Sequence, residues 1–222
     1  MIELDTSTHP GVAVLTMTHG DNRFRPDFCD AFEAALDTVD AVEAIGALVI
    51  TGTGKFFSNG FDIEVLMELG AEAPGLVARS ETIAGRLMAA PYTVVMAING
   101  HAFGMGAMFS LSGDVRLMRS DRGFWCLPEA DLGMPFSPGM QALITGALRR
   151  TDAAFAMTTA TRFDGEAAVR VGVAHAAHIE AELLPAAIEA ATAASGRRGP
   201  NLAGIKNQLH AAAIASLGQR LG

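Results

Sequence analysis

Cysteine is almost missing from this chain: Cys29 and Cys126 are the only two in 222 residues. They lie far apart and show no metal-ligand spacing, so neither a disulfide framework nor a cysteine metal site is expected. Both read as buried free thiols. Long apolar runs are absent too, and the longest, such as residues 93–98, are far too short to cross a bilayer. No charged-then-apolar leader opens the chain at Met1-Ile2-Glu3-Leu4-Asp5, and Gln219-Arg220-Leu221-Gly222 carries no obvious address tag. A cytoplasmic location is therefore expected. Positive charge is scarce, with 16 Lys and Arg against 24 Asp and Glu and a net charge of −8. That balance argues against a nucleic-acid or anionic-membrane partner, although a few local cations could still hold one phosphorylated ligand. Polar tracts are missing and half of the residues are hydrophobic. One domain with a substantial core follows.

Strand-like and helical stretches alternate along this core. Val12, Val14 and Thr16 face one side and Ala13, Leu15 and Met17 the other, as in a strand covered on both faces. Asp27 is positioned to cap a helix over 27–42, with Phe28, Ala31, Phe32, Ala35 and Val39 as its stripe. Strands are expected at 47–51, 92–98 and 115–118, and helices at 76–88 and 104–112. Past Pro138 the pattern becomes helical: 140–148, 152–159, 165–171, 183–194 and, after Gly196-Arg197-Arg198-Gly199-Pro200, 202–217. The class is α/β with parallel sheet.

Two glycine motifs fail on inspection. Thr51-Gly52-Thr53-Gly54-Lys55 lacks the Walker A glycine, where Val49 stands, and its hydroxyl residue, where Phe56 stands. Gly100, Gly104 and Gly106 have the wrong spacing for a dinucleotide fingerprint. Two other places are more informative: Phe56 to Ile63, and Asn99-Gly100-His101-Ala102-Phe103-Gly104-Met105-Gly106. Each joins a strand to a helix and leaves backbone amides free. Brought together they would offer two donors to one oxyanion, and apart they are ordinary turns.

Phe57-Ser58-Asn59-Gly60-Phe61-Asp62-Ile63 resembles the F-[SA]-x-G-x-D-[IL] signature of the enoyl-CoA hydratase/isomerase (crotonase) superfamily. Asn99-Gly100-His101-Ala102, then Gly104 and Asp114, resemble its second segment, and Pro128-Glu129 through Leu132-Gly133 to Pro135 its third. The three occur in family order and cover roughly residues 10–180. The resemblance implies a crotonase-like spiral of β-β-α units over 1–182 and a helical C-terminal region over 183–222 for oligomerisation or a lid. It implies homotrimers or homohexamers, an acyl-CoA substrate, no metal, and no cofactor apart from the coenzyme A of the substrate.

Carried over by position, the resemblance makes Glu129 the acid–base residue and the backbone amides of Phe61 and Met105 the oxyanion donors. Asn22, Arg23, Phe24, Arg25, Lys55, Phe57, Asn59 and Gly60 fall where the family binds coenzyme A, with Lys206 as a further phosphate candidate. Met108, Leu127 and Met134 border the acyl pocket. Family hydratases use two glutamates, and the first falls here at Met108, which can neither accept nor donate a proton. The pattern is therefore closest to single-glutamate Δ3,Δ2-enoyl-CoA isomerases. Dienoyl-CoA isomerases would need further acids at Met108 and about Ser137. A hydratase, another thioester–enolate enzyme and a non-catalytic acyl-CoA binder are the alternatives. A base in this role needs apolar surroundings, expected from Trp125, Leu127, Met134 and Phe136. His101 reads as a packed or hydrogen-bonded histidine, Asp62 and Asp114 as residues that cap or pin loops, and Asp131 as structural.

Overall fold

The computed structural model describes residues 1–218; the terminal tetrapeptide read for an address tag lies outside the described residues. A six-stranded sheet runs β1 (Ile2–His9), β2 (Val12–Met17), β3 (Ala47–Gly52), β5 (Thr93–Ile98), β7 (Val115–Arg119), β9 (Ala176–His178). All neighbours are parallel except the β1–β2 hairpin. A second, parallel sheet is built from β4 (Phe56–Ser58), β6 (His101–Phe103) and β8 (Trp125–Cys126). Each turn of chain thus lays one strand in the large sheet and the next in the small one before a helix returns it. This is the spiral of β-β-α units.

The large sheet is covered on both faces, which explains its continuous apolar strands. Ala13, Leu15 and Met17 pack into the main core with Phe28, Phe32 and Leu36 of α1 (Pro26–Ala41). Val12 and Val14 pack on the other side against Leu183, Ala187 and Ala191 of α9 (Glu180–Ala194). Between the strands run α2 (Ile63–Leu69), α3 (Ala73–Ala89), α4 (Met105–Ser110) and the single turn α5 (Glu129–Leu132). After them come α6 (Pro138–Ala147), α7 (Arg150–Thr159), α8 (Gly165–Arg170), α10 (Pro200–Leu209) and α11 (Ala211–Ser216).

Two expectations are corrected. The first helix starts at Pro26, so Asp27 lies inside its first turn, where its carboxylate accepts from Phe28 N–H and Arg25. The terminal helix is two helices, broken at His210. Residues 129–132 form a single helical turn, on which Asp131 is exposed. Both cysteines are buried free thiols.

Candidate active site

Gly60 and Gly104 bring the two glycine-rich turns together. Gly60 has φ +77, and a Cβ there would stand 2.8 Å from the Phe103 carbonyl oxygen and 3.3 Å from the Met105 nitrogen. No side chain fits at that distance, and positive φ favours glycine independently. The backbone of Phe24 fixes the first turn: its N–H donates to Gly60 O at 2.8 Å, and its carbonyl accepts from Asp62 N–H at 3.1 Å. This is a one-residue parallel bridge between Phe24 and Phe61. Such a bridge engages the peptides on either side of Phe61, so the N–H of Phe61 itself points away from it. In the second turn Gly104 donates to Cys126 O, and Met105 opens α4, where an amide has no partner within the helix. Neither Phe61 N–H nor Met105 N–H is engaged in the backbone hydrogen bonds that hold these turns, among the described residues.

Both residues line one cavity of about 240 Å³, together with Asn59, Gly60, Gly104 and Glu129. Glu129 opens α5, which closes on Gly133 in the left-handed region, and Met134 N–H returns to Glu129 O. Its side chain is buried, and Oε2 has no hydrogen-bond partner among the described residues. Burial raises its pKa to about 7. An unpaired buried carboxylate is costly, and active sites are where that cost is found. Phe61, Ile63, Phe103, Met105, Leu132 and Met134 make the surroundings apolar. Glu129 is the one carboxylate lining the cavity among the described residues.

The expected site residues separate into two groups. Glu129, Phe61, Met105, Gly60, Asn59, Arg23 and Met134 meet at the cavity. Met108 and Leu127 do not line it: both are packed in the main core behind it, as is Trp125, whose indole N–H donates to Ala107 O. Asn22, Phe24 and Phe57 are fully buried, so their side chains shape the wall from behind. The Asn22 amide clamps the first loop to β4 by donating to Phe56 O and Phe57 O. Arg23 pairs with Asp21, and Arg25 with Asp27. Lys55 is exposed, 5.0 Å from the centre of the Phe56 ring, with no carboxylate in ion-pair range among the described residues. Lys206 is corrected outright. It is buried, donates to Asp114 at 2.6 Å and to Tyr92 O, and cannot meet a phosphate.

Asp62 caps α2 through Val65 N–H, and Asp114 pins Val94 N–H. His101 accepts from Phe124 N–H through Nδ1 and packs between Phe56 and Phe103. Burial, then the charges of Lys55, Arg122 and Arg162, lower its pKa. Sequence reasoning missed Glu81 of α3, which is 1% exposed, accepts from Ser137 Oγ at 2.5 Å and from Gly218 N–H at 3.0 Å. Its one sequence signal is its place between Val77 and Ala84 on the apolar stripe of α3. Among the described residues, a larger opening of about 470 Å³ near Pro26 and Leu76 holds only Glu72 and Arg79 as charged groups. That arginine is committed to Asp30 and Glu33.

The family model described as enoyl-CoA hydratase/isomerase matches residues 7–221. "Enoyl-CoA delta isomerase 3" of Arabidopsis thaliana is 34% identical over 181 residues, 76% of this chain and 74% of that protein. The peroxisomal "Enoyl-CoA delta isomerase 2" of the same plant is 31% identical over 206 residues, covering 87% and 82%. Among solved structures, a probable enoyl-CoA hydratase, EchA3, of Mycobacterium tuberculosis superposes with a TM-score of 0.91 at 29% identity, covering 97% of this chain and 91% of that one. The chain belongs to the enoyl-CoA hydratase/isomerase family, and within it stands near the enoyl-CoA isomerases.

Proposed function

We propose that this protein moves the double bond of a 3-enoyl-CoA thioester to the 2-position, with Glu129 as the single proton carrier. The observation that supports this reading most directly is that, among the described residues, Glu129 is the one carboxylate lining the cavity that also holds Phe61 and Met105. Ionised Glu129 takes a proton from C2 of the 3-enoyl thioester. The electron pair moves onto the carbonyl oxygen, which the amides of Phe61 and Met105 receive as a dienolate. Protonated Glu129 then returns the proton to C4, and the double bond closes between C2 and C3. A pKa of about 7 suits both halves of this cycle, because the group must be a base first and an acid second. Coenzyme A enters only as part of the substrate. Lys55 is the cation best placed for its phosphates, being exposed and without a carboxylate in ion-pair range among the described residues.

Some relatives are named hydratases, including "Enoyl-CoA hydratase AKT6-1" of Alternaria alternata at 32% identity. Hydration needs a second group to activate water, and Met108 supplies none. The deciding experiment follows a 3-enoyl-CoA and crotonyl-CoA in parallel with wild type and Glu129→Gln. Isomerisation that disappears in the variant supports the proposal. Water addition to crotonyl-CoA supports the hydratase, and thioester binding without either reaction supports a non-catalytic binder.

A further inference from the structure

Glu129 stands at one end of an exposed stretch of chain, and a second buried acid holds the other end. Residues 130–135 are all exposed, whereas Glu129 and Ser137 on either side of them are buried. The N–H groups of residues 131, 132 and 134 return to the carbonyls of Pro128 and Glu129, so the stretch is tied back to its own start. Its far end is fixed at Ser137, next to Phe136, which leans on the main core. There the hydroxyl donates to Glu81 Oε1 at 2.5 Å and caps α6 by accepting from Met140 N–H.

The other oxygen of Glu81 accepts from Gly218 N–H at 3.0 Å, which docks the end of α11 on α3. Gly139 shows how closely these segments meet. A Cβ there would stand 2.7 Å from Glu81 Oε2, 2.8 Å from Leu217 Cα and 2.9 Å from Ser216 O. One carboxyl group thus joins α3, the start of α6 and the segment after α11. A buried acceptor that loses its donor carries the full cost of its desolvation, so the two contacts of Glu81 stand or fall together.

We propose that Glu81 is a positioning residue: through Ser137 it keeps the 130–136 stretch, and with it the Glu129 carboxylate, in place while the 211–218 segment is docked. This rests on the reading of Glu129 as the proton carrier. Two variants test it. Glu81→Gln keeps the shape of the side chain but turns one acceptor into a donor. Gly139→Ala leaves Glu81 intact and wedges the C-terminal segment away. A shift of about 1 Å at the base lowers turnover up to about 10²-fold. A loosened stretch also lets water reach Glu129, so the midpoint of the kcat/KM profile falls by about one unit or more from about 7 toward 4.5. Arg23, the other charged group lining that cavity among the described residues, is unchanged in both variants. Partial unfolding would lower activity without moving the midpoint. Amide hydrogen exchange, followed without substrate, quickens about 10-fold or more at 130–137 and 211–218 together. A midpoint still near 7 in both variants, or faster exchange confined to 211–218, overturns the proposal and leaves Glu129 as proton carrier. If Gly139→Ala fails to fold, Glu81→Gln decides alone. Wild type inactive on 3-enoyl-CoA overturns the proton-carrier reading and this role with it.

Discussion

A Cβ on Gly104 would stand 3.3 Å from Oε1 of Glu129. The second glycine-rich turn and the Glu129 carboxylate thus lie side by side, and a hydrogen at position 104 is what leaves the carboxylate room. Gly104 also has φ +52 and ψ −124, outside the range of ordinary L-residues. Gly104→Ala is expected to tilt the Met105 amide and push Glu129 out of place. Loss of one oxyanion donor lowers turnover about 10²- to 10³-fold. Steady-state assays of double-bond migration at saturating thioester should show the fall in turnover rate. A turnover rate equal to that of wild type would break the link between this turn and catalysis.

Glu129 should also weaken the fold as pH rises. Its pKa is raised by burial, from 4.5 to about 7, so the folded protein favours the protonated group. That stabilisation is complete below pH 4.5 and is lost as pH climbs through 7. The span corresponds to about 3 kcal/mol. Glu129→Gln, which never ionises, should therefore gain stability relative to wild type between pH 4 and pH 8. Parallel urea titrations across that range measure the divergence, and parallel curves would refute it. The same variant should lose about 10²- to 10⁴-fold in isomerisation, the range for removing a general base.

For catalysis the pH dependence has the opposite sign. The proton acceptor must be ionised, so kcat/KM is expected to fall tenfold per pH unit below about 7. Because burial and not a neighbouring charge displaces this group, added salt should leave the midpoint in place, even where screening acts over roughly 10 Å. A midpoint near 4.5, or one that moves strongly with ionic strength, would assign the profile to another group.

How much of this the sequence disclosed depends on the range of the interactions. The buried strands at 47–52 and 93–98 are legible because both faces are apolar, and the strand at 115–119 shows through Val115, Leu117 and Met118 despite its two arginines. The first strand is not, because Glu3, Asp5 and Ser7 give it a polar, partly exposed pattern at the sheet edge. The strands of the small sheet contain two or three residues each, too few to show a period. In the site, Glu129 and the two turns are carried by local motifs. Glu81 is not, since its partners Ser137 and Gly218 are 56 and 137 positions away. Met108 reads first as a core residue and second as a border of the acyl pocket, and helix α4 holds it in the core, away from the Glu129 cavity.

Lys206 shows the same limit and yields the last prediction. As a sequence letter it is one cation among surface charges; in the fold its ammonium reaches across 92 positions to Asp114 and anchors α10 beside the start of β5. Burial lowers its pKa, and Asp114 opposes that shift. Asp114 Oδ2 also accepts from Val94 N–H at 2.8 Å, so removing the lysine leaves a carboxylate still tied to the strand but stripped of its counter-charge. Lys206→Met is expected to cost about 3–5 kcal/mol, the usual result of breaking one side of a buried pair. Lys206→Met with Asp114→Asn should cost less than the single change, because no uncompensated charge remains. Urea unfolding measures both, and hydrogen exchange should show the loss of protection concentrated in α10. A double variant as unstable as the single one would mean that lost packing, not the stranded charge, sets the cost.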